Sequence, residues 1–182
     1  MFEQQFIPGL VVITPNKYDD ERGYFSEVYN LNQYSKGEID VDFVQDNQSI
    51  NLTKNTIRGL HFQSPPSAQD KLVRVGRGSV LDIAVDIRRA SKHFGKYLKV
   101  ELSAFNRKQL FIPKGFLHGF ITLEDNTELL YKCSNFYAPE YDHTVRFDDP
   151  QLNINWGIQI DHAVISNKDL DGDFFRELVS PF

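Results

Sequence analysis

The sequence predicts an all-β protein, an antiparallel sandwich or jelly-roll barrel with short peripheral helices, on three observations. Short apolar runs alternate with turn residues at close, even intervals along most of the 182 residues. Glycine and proline punctuate the runs, and no internal repeat, low-complexity tract or linker interrupts them. One run, Val80–Ile87, alternates cleanly, with Leu81, Ile83, Val85 and Ile87 on one face. That is the pattern of a half-buried antiparallel strand.

The elements follow in chain order. Leu10–Thr14 reads as a strand stopped by Pro15 and Asn16, and Tyr24–Asn30 as a second. Residues 31–38 (LNQYSKGE) form a short helix ended by Gly37. Strands follow at Phe43–Gln48, Thr56–Phe62, Lys71–Val75, Val80–Asp86, Tyr97–Leu102 and Gln109–Ile112, with a tight turn at Gly76–Gly78. Phe120–Leu123, Glu128–Phe136 and His143–Phe147 continue the series. From Ser166 the chain turns acidic and polar, and residues 173–179 (DFFRELV) suggest a terminal helix.

Composition narrows the function. The length favours one domain, residues 1–182, able to bury a core without disulfides. A formal charge of -5 with no basic stripe argues against a nucleic-acid partner. Cys133 is the single cysteine, so no intramolecular disulfide forms, which fits a reducing cytosol. No apolar run nears the ~18 residues of a membrane span. The N-terminus MFEQQFIPGL lacks a secretory pattern, so a cytoplasmic protein is expected.

Two stretches carry chemistry. In R-G-L-H-F-Q (Arg58–Gln63), a strand histidine can point into a barrel, and its ordinary titration range suits proton abstraction. A lone histidine is more often simply hydrogen-bonded in a core or at a surface. The spacing P-x-G-x-x-H in I-P-K-G-F-L-H (Ile112–His118) resembles a motif of the cupin superfamily of small β-barrels. Metal-binding cupins use three histidines and a glutamate, with an H-x-H pair. Here the position two after His61 is Gln63, so a metal-free barrel is expected.

A metal-free histidine base needs another electrophile. Lys71 opens a strand and could stabilise an enolate oxygen, although most lysines at strand ends are solvated. Tyr131 could deliver a proton to the face opposite the base, although a strand tyrosine with a wet hydroxyl is commoner. Asp169 could hold one imidazole nitrogen and fix its tautomer. The run Ser166–Asp169 also fits a helix-start box, and both roles can coexist.

Taken together, the stretches resemble the dTDP-4-dehydrorhamnose 3,5-epimerase family. The matching strings are D-E-R-G-Y-F-S-E (Asp20–Glu27), F-V-Q-D-N (Phe43–Asn47), R-G-L-H-F-Q, K-L-V-R-V, V-D-I-R, I-P-K-G-F-L-H-G-F and Y-K-C-S-N-F-Y (Tyr131–Tyr137). They run in family order from about Pro8 to Asp169. The resemblance implies a cupin-like jelly roll, a homodimer, working without metal or organic cofactor on a dTDP-linked 4-keto-6-deoxy sugar. It implies His61 as base with Asp169 as partner, Lys71 at the enolate oxygen and Tyr131 as acid. Arg22, Glu27, Gln45, Asn47, Arg58, His118, Asp142 and Lys168 would contact the nucleotide sugar, and Tyr137 would stack on thymine. A family glutamate is replaced by Asp142 or shifted to Glu140, Phe136 stands where tyrosine is frequent, and the Ser64–Asp70 loop carries a Pro pair. One conflict stands: strict alternation puts Arg58 and His61 on opposite faces. A bulge at Gly59 would reconcile them. Without one, Arg58 would reach phosphate from a strand end.

Overall fold

The computed structural model describes all 182 residues. Its strands are β1 (Phe2–Gln4), β2 (Val11–Ile13), β3 (Tyr18–Asp20), β4 (Gly23–Phe25), β5 (Gln45–Asn51), β6 (Ile57–Gln63), β7 (Lys71–Arg77), β8 (Ser79–Asp86), β9 (Tyr97–Ser103), β10 (Gln109–Ile112), β11 (Phe116–Thr122), β12 (Thr127–Cys133) and β13 (Asp142–Thr144). They form a six-stranded sheet, β1-β2-β10-β7-β12-β5, a five-stranded sheet, β13-β6-β11-β8-β9, and the separate hairpin β3-β4. Every pairing between these strands is antiparallel. The result is the expected cupin-like jelly roll.

Three apolar layers hold it. Between the sheets, Val12, Val73, Val75, Leu110 and Leu129 of the larger sheet meet Val80, Ala84, Leu98, Leu102, Phe116 and Phe120 of the smaller. Outside the smaller sheet, Ile57, Ile83, Val85, Leu117 and Ile121 are covered by Val145, Phe147, Trp156 and Phe175 from the C-terminal chain. Outside the larger sheet, Leu72 and Phe111 lie under Tyr34 and Ile39.

This layering corrects the reading of β8 as half-buried. Ile83, Val85, Asp82, Ala84 and Asp86 are all buried, because the C-terminal segment packs on the face that would otherwise meet water. The expected strand Tyr24–Asn30 stops at Phe25. Beyond it, the Val28 carbonyl accepts from Tyr34 Oη (2.7 Å) and Gln109 Nε2 (2.8 Å), so side chains replace a strand partner. Asn30 then caps α1 (Leu31–Tyr34), which runs into one tight turn, Ser35–Gly37. Residues 173–179 do not form a helix, only a single turn at Phe175–Glu177. The Phe175 N–H is held by buried Asp149 and its ring sinks into the core, which leaves no room for further turns. α2 (Asn167–Leu170) begins just before it, capped by Ser166 Oγ. No helix is long and apolar enough to cross a membrane.

Candidate active site

The two sheets open into a cavity of about 560 Å³. Arg58, His61, His118 and Phe120 line it from the five-stranded sheet, and Ser49, Lys71, Leu129 and Tyr131 from the six-stranded sheet. Ser166, Lys168 and Asp169 close one rim through α2. A second hollow of about 340 Å³ shares His61, Lys71, Tyr131 and Lys168, and adds Gln45, Asn47, Gln63, Tyr137 and Asp142. These four shared residues set the two hollows side by side as neighbouring parts of the cleft.

The Arg58–His61 conflict resolves through a bulge. Against β11, His61 pairs with His118 and Arg58 with Phe120, so Gly59 and Leu60 together oppose Gly119 alone. The extra residue turns both side chains into the cavity. Gly59 has φ +118, and a Cβ there would lie 2.6 Å from Gly119 Cα and 2.7 Å from the His118 carbonyl oxygen. Two glycines in register are what this close approach requires.

His61 Nε2 lies 2.6 Å from Asp169 Oδ1. The carboxylate is almost fully buried, its side chain 4% exposed. Burial works against its charge. The hydrogen bond and charge of His61, with bonds from Ser166 and the Gly59 N–H, outweigh that and hold the carboxyl below its ordinary range. A proton on Nε2 directed at the carboxylate leaves the Nδ1 lone pair free. Ser166 also accepts from the Asp169 N–H, so Asp169 serves as both imidazole partner and part of the helix start.

Facing this pair, Tyr131 extends from β12 on the other sheet. Burial raises its phenol above the ordinary range, so it stays protonated. Lys71 lies at the start of β7, and burial pushes its ammonium down, partly offset by Cys133, Asp142 and Asp82. The lysine ion pairs belong to Lys17, Lys114, Lys132 and Lys168, which leaves the Lys71 ammonium unspent. His118 is buried, and its Nε2 sits 3.0 Å from each carboxylate oxygen of Asp82, itself fully buried on β8. No group of three or more His, Cys, Asp or Glu side chains is placed to hold a metal ion.

The chain matches the dTDP-4-dehydrorhamnose 3,5-epimerase family model over residues 4–177. The chain belongs to this family. It is therefore an isomerase, of the 3,5-epimerase type the family is named for. Among relatives of that name, one from Methanothermobacter thermautotrophicus is 43% identical, the match covering 97% of this chain and 95% of the relative. One from Sinorhizobium fredii is 45% identical over 100% of this chain and 92% of its own. A crystal structure of the dTDP-6-deoxy-D-glucose-3,5-epimerase from Legionella pneumophila, in complex with dTDP-4-keto-L-rhamnose, superposes with a TM-score of 0.93. That chain is 40% identical, with 98% of this chain and 94% of that one covered.

Within this epimerase-family cleft, most sequence-predicted residues converge. Tyr137 stands at the mouth, its N–H on Gln45 Oε1 (2.9 Å) and its hydroxyl 3.3 Å from Asp142. Gln45 Nε2 donates to Asn47 Oδ1, and Asn47 Nδ2 reaches Cys133 Sγ. Lys168 Nζ pairs with Asp142 at 2.5 Å, so Asp142 rather than exposed Glu140 occupies the cleft. Two residues do not join. Arg22 is on the β3-β4 hairpin, exposed and paired with Asp20 at 2.6 Å. Glu27 borders a different hollow beside Phe2, Thr14 and Tyr34. Within one chain neither lines the cleft, and the hairpin that carries Arg22 pairs only with itself.

Sequence reading missed Asp82, Ser49, Phe120 and Leu129. Asp82 had a signal: an acid at an inward position of V-L-D-I-A-V, flanked on its face by Val80 and Ala84. Such an acid needs a buried partner.

Proposed function

We propose that the chain converts dTDP-4-dehydro-6-deoxy-glucose to dTDP-4-dehydro-L-rhamnose through acid–base chemistry at His61, Tyr131, Lys71 and Asp169. The observation that carries this is His61 on one sheet, paired with Asp169 of α2 at the rim, and Tyr131 on the facing sheet of the same cavity. Hydrogens on carbons 3 and 5 flank the 4-ketone, so each can leave as a proton while the electron pair delocalises onto oxygen. His61 Nδ1 takes the proton, and Asp169 stabilises the imidazolium. Lys71 meets the enolate oxygen, worth about 3–4 kcal/mol, the scale of one oxyanion donor. Tyr131 protonates the same carbon from the other face, which inverts it. Its hydroxyl and His61 then exchange protons with water, and the cycle repeats at the second carbon.

Gln45, Asn47, Tyr137, Asp142 and Lys168 suit the nucleotide end, and Arg58 and His118 the sugar end. The working unit in this proposal is a homodimer. Arg22, with exposed Tyr24 and Phe25 on its hairpin, would then reach the nucleotide end of the second copy's cleft, and Glu27 would follow. The unpaired Cys133 thiol suits a reducing cytoplasm.

Incubation with the 4-keto-6-deoxy sugar nucleotide in heavy water tests the reaction. Deuterium at both carbons together with the inverted product is expected. Label at one carbon alone would replace this reading with a monoepimerase. Tight nucleotide binding without label would replace it with a binding protein.

A further inference from the structure

Three buried side-chain atoms lack a hydrogen-bond partner: Ser49 Oγ, Asn55 Oδ1 and Arg107 Nη1. Asn55 and Arg107 lie in turns with positive φ. Of the three, Ser49 alone lines the cavity that holds His61 and Tyr131. A buried hydroxyl left unpaired is costly, so a position that keeps one calls for a partner arriving from outside.

The neighbours of Ser49 are already engaged. On its own face of β5, Asn47 reaches Cys133 and Asn51 accepts from Arg58 Nε at 2.7 Å. The adjacent Gln48 amide is held by Glu128. Across the ladder Ser49 pairs with Leu129, which offers no polar side chain, two residues from Tyr131. Ser49 therefore lines the cavity that holds His61 and Tyr131, its hydroxyl with one donor and two acceptor sites unused.

We propose that Ser49 reads the 2-hydroxyl of the sugar, a specificity contact resting on the substrate reading above. A 4-keto-6-deoxy hexose linked through carbon 1 carries ring hydroxyls only at carbons 2 and 3. The 3-hydroxyl swings to the other face when carbon 3 inverts, so one fixed serine cannot hold it in both substrate and product. The 2-hydroxyl keeps its configuration throughout. A contact present equally in ground and transition states contributes uniform binding, so its loss raises KM and leaves kcat nearly unchanged.

The test compares wild type, Ser49→Ala and Ser49→Thr on the 2-hydroxy substrate and its 2-deoxy analogue. Wild type should prefer the 2-hydroxy sugar in kcat/KM by roughly 5- to 150-fold, the range for one buried polar group left unpaired. Ser49→Ala should lose most of that preference, through KM, and Ser49→Thr, which keeps a hydroxyl, should retain it. A Ser49→Ala variant that slows both sugars equally, or keeps the wild-type ratio, overturns the inference. So does failure of Ser49→Ala to fold combined with a Ser49→Thr variant that loses the ratio. An inactive wild type would instead overturn the substrate reading itself, and this inference with it.

Discussion

Replacing Asp169 by asparagine isolates what the carboxylate contributes beyond shape. The two side chains have nearly the same volume, and the helix start survives because Ser166 Oγ bonds the backbone N–H of residue 169. What disappears is a charge 2.6 Å from His61 Nε2, in a side chain only 4% exposed. A hydrogen bond to a charged group contributes about 1.5–3 kcal/mol. At about 1.4 kcal/mol per factor of ten, Asp169→Asn should lower the epimerisation rate roughly 10- to 150-fold. If the new amide donates to Nε2, the imidazole proton moves to Nδ1, the free lone pair turns away, and the loss approaches ~10⁴-fold. The assay is deuterium uptake in heavy water followed by proton resonance at both ring positions. Because one imidazole serves both carbons, both uptake rates should fall by the same factor, with KM changed little. A loss under threefold, or slowing at one carbon only, would refute the reasoning.

Other outcomes follow from the same geometry. Tyr131→Phe should still exchange hydrogen at the ring carbons but form inverted product 10²- to 10⁴-fold more slowly, measured by product analysis of labelled sugar. Lys71→Met should cost about 10²–10³ in kcat, since the ammonium meets charge that exists only on the way to the enolate; single-turnover rates would reveal a smaller loss. Gly59→Ala should destabilise by at least 1–3 kcal/mol and lower the Tm, because φ +118 and a 2.6 Å approach to Gly119 both exclude a side chain. The depressed carboxyl of Asp169 stabilises the fold above its ordinary value of 3.8, and that contribution fades as pH falls through its lower folded-state value. The Tm gap between wild type and Asp169→Asn should therefore narrow from pH 5 to pH 3, and a constant gap would count against it.

Much of this protein was legible in one dimension. Short apolar runs between turn residues marked most of the strands from Gln45 to Cys133, and clean alternation singled out β8. Gln109–Ile112 matched β10 to the residue. The errors share a cause in distant contacts: Asp149 and the Phe175 pocket stopped a terminal helix, and the C-terminal cover buried both faces of β8. Local pattern carries no record of what packs on it from a hundred residues away.

The same division holds at the site. By itself, the sequence determined that His61, Lys71, Tyr131 and Asp169 occur in the order and settings of one family, on strands and a helix start that could present them. Only the tertiary structure decided that His61 and Asp169, 108 positions apart in the chain, close to a 2.6 Å contact. It alone put Tyr131 on the facing sheet, turned Arg58 inward through the bulge, paired His118 with Asp82, and left Arg22 outside. The physical reason is that chemistry depends on distance and direction between side chains, and those are set by sheet pairing, bulges and burial. Residue identity supplies the groups, and the fold sets the space between them.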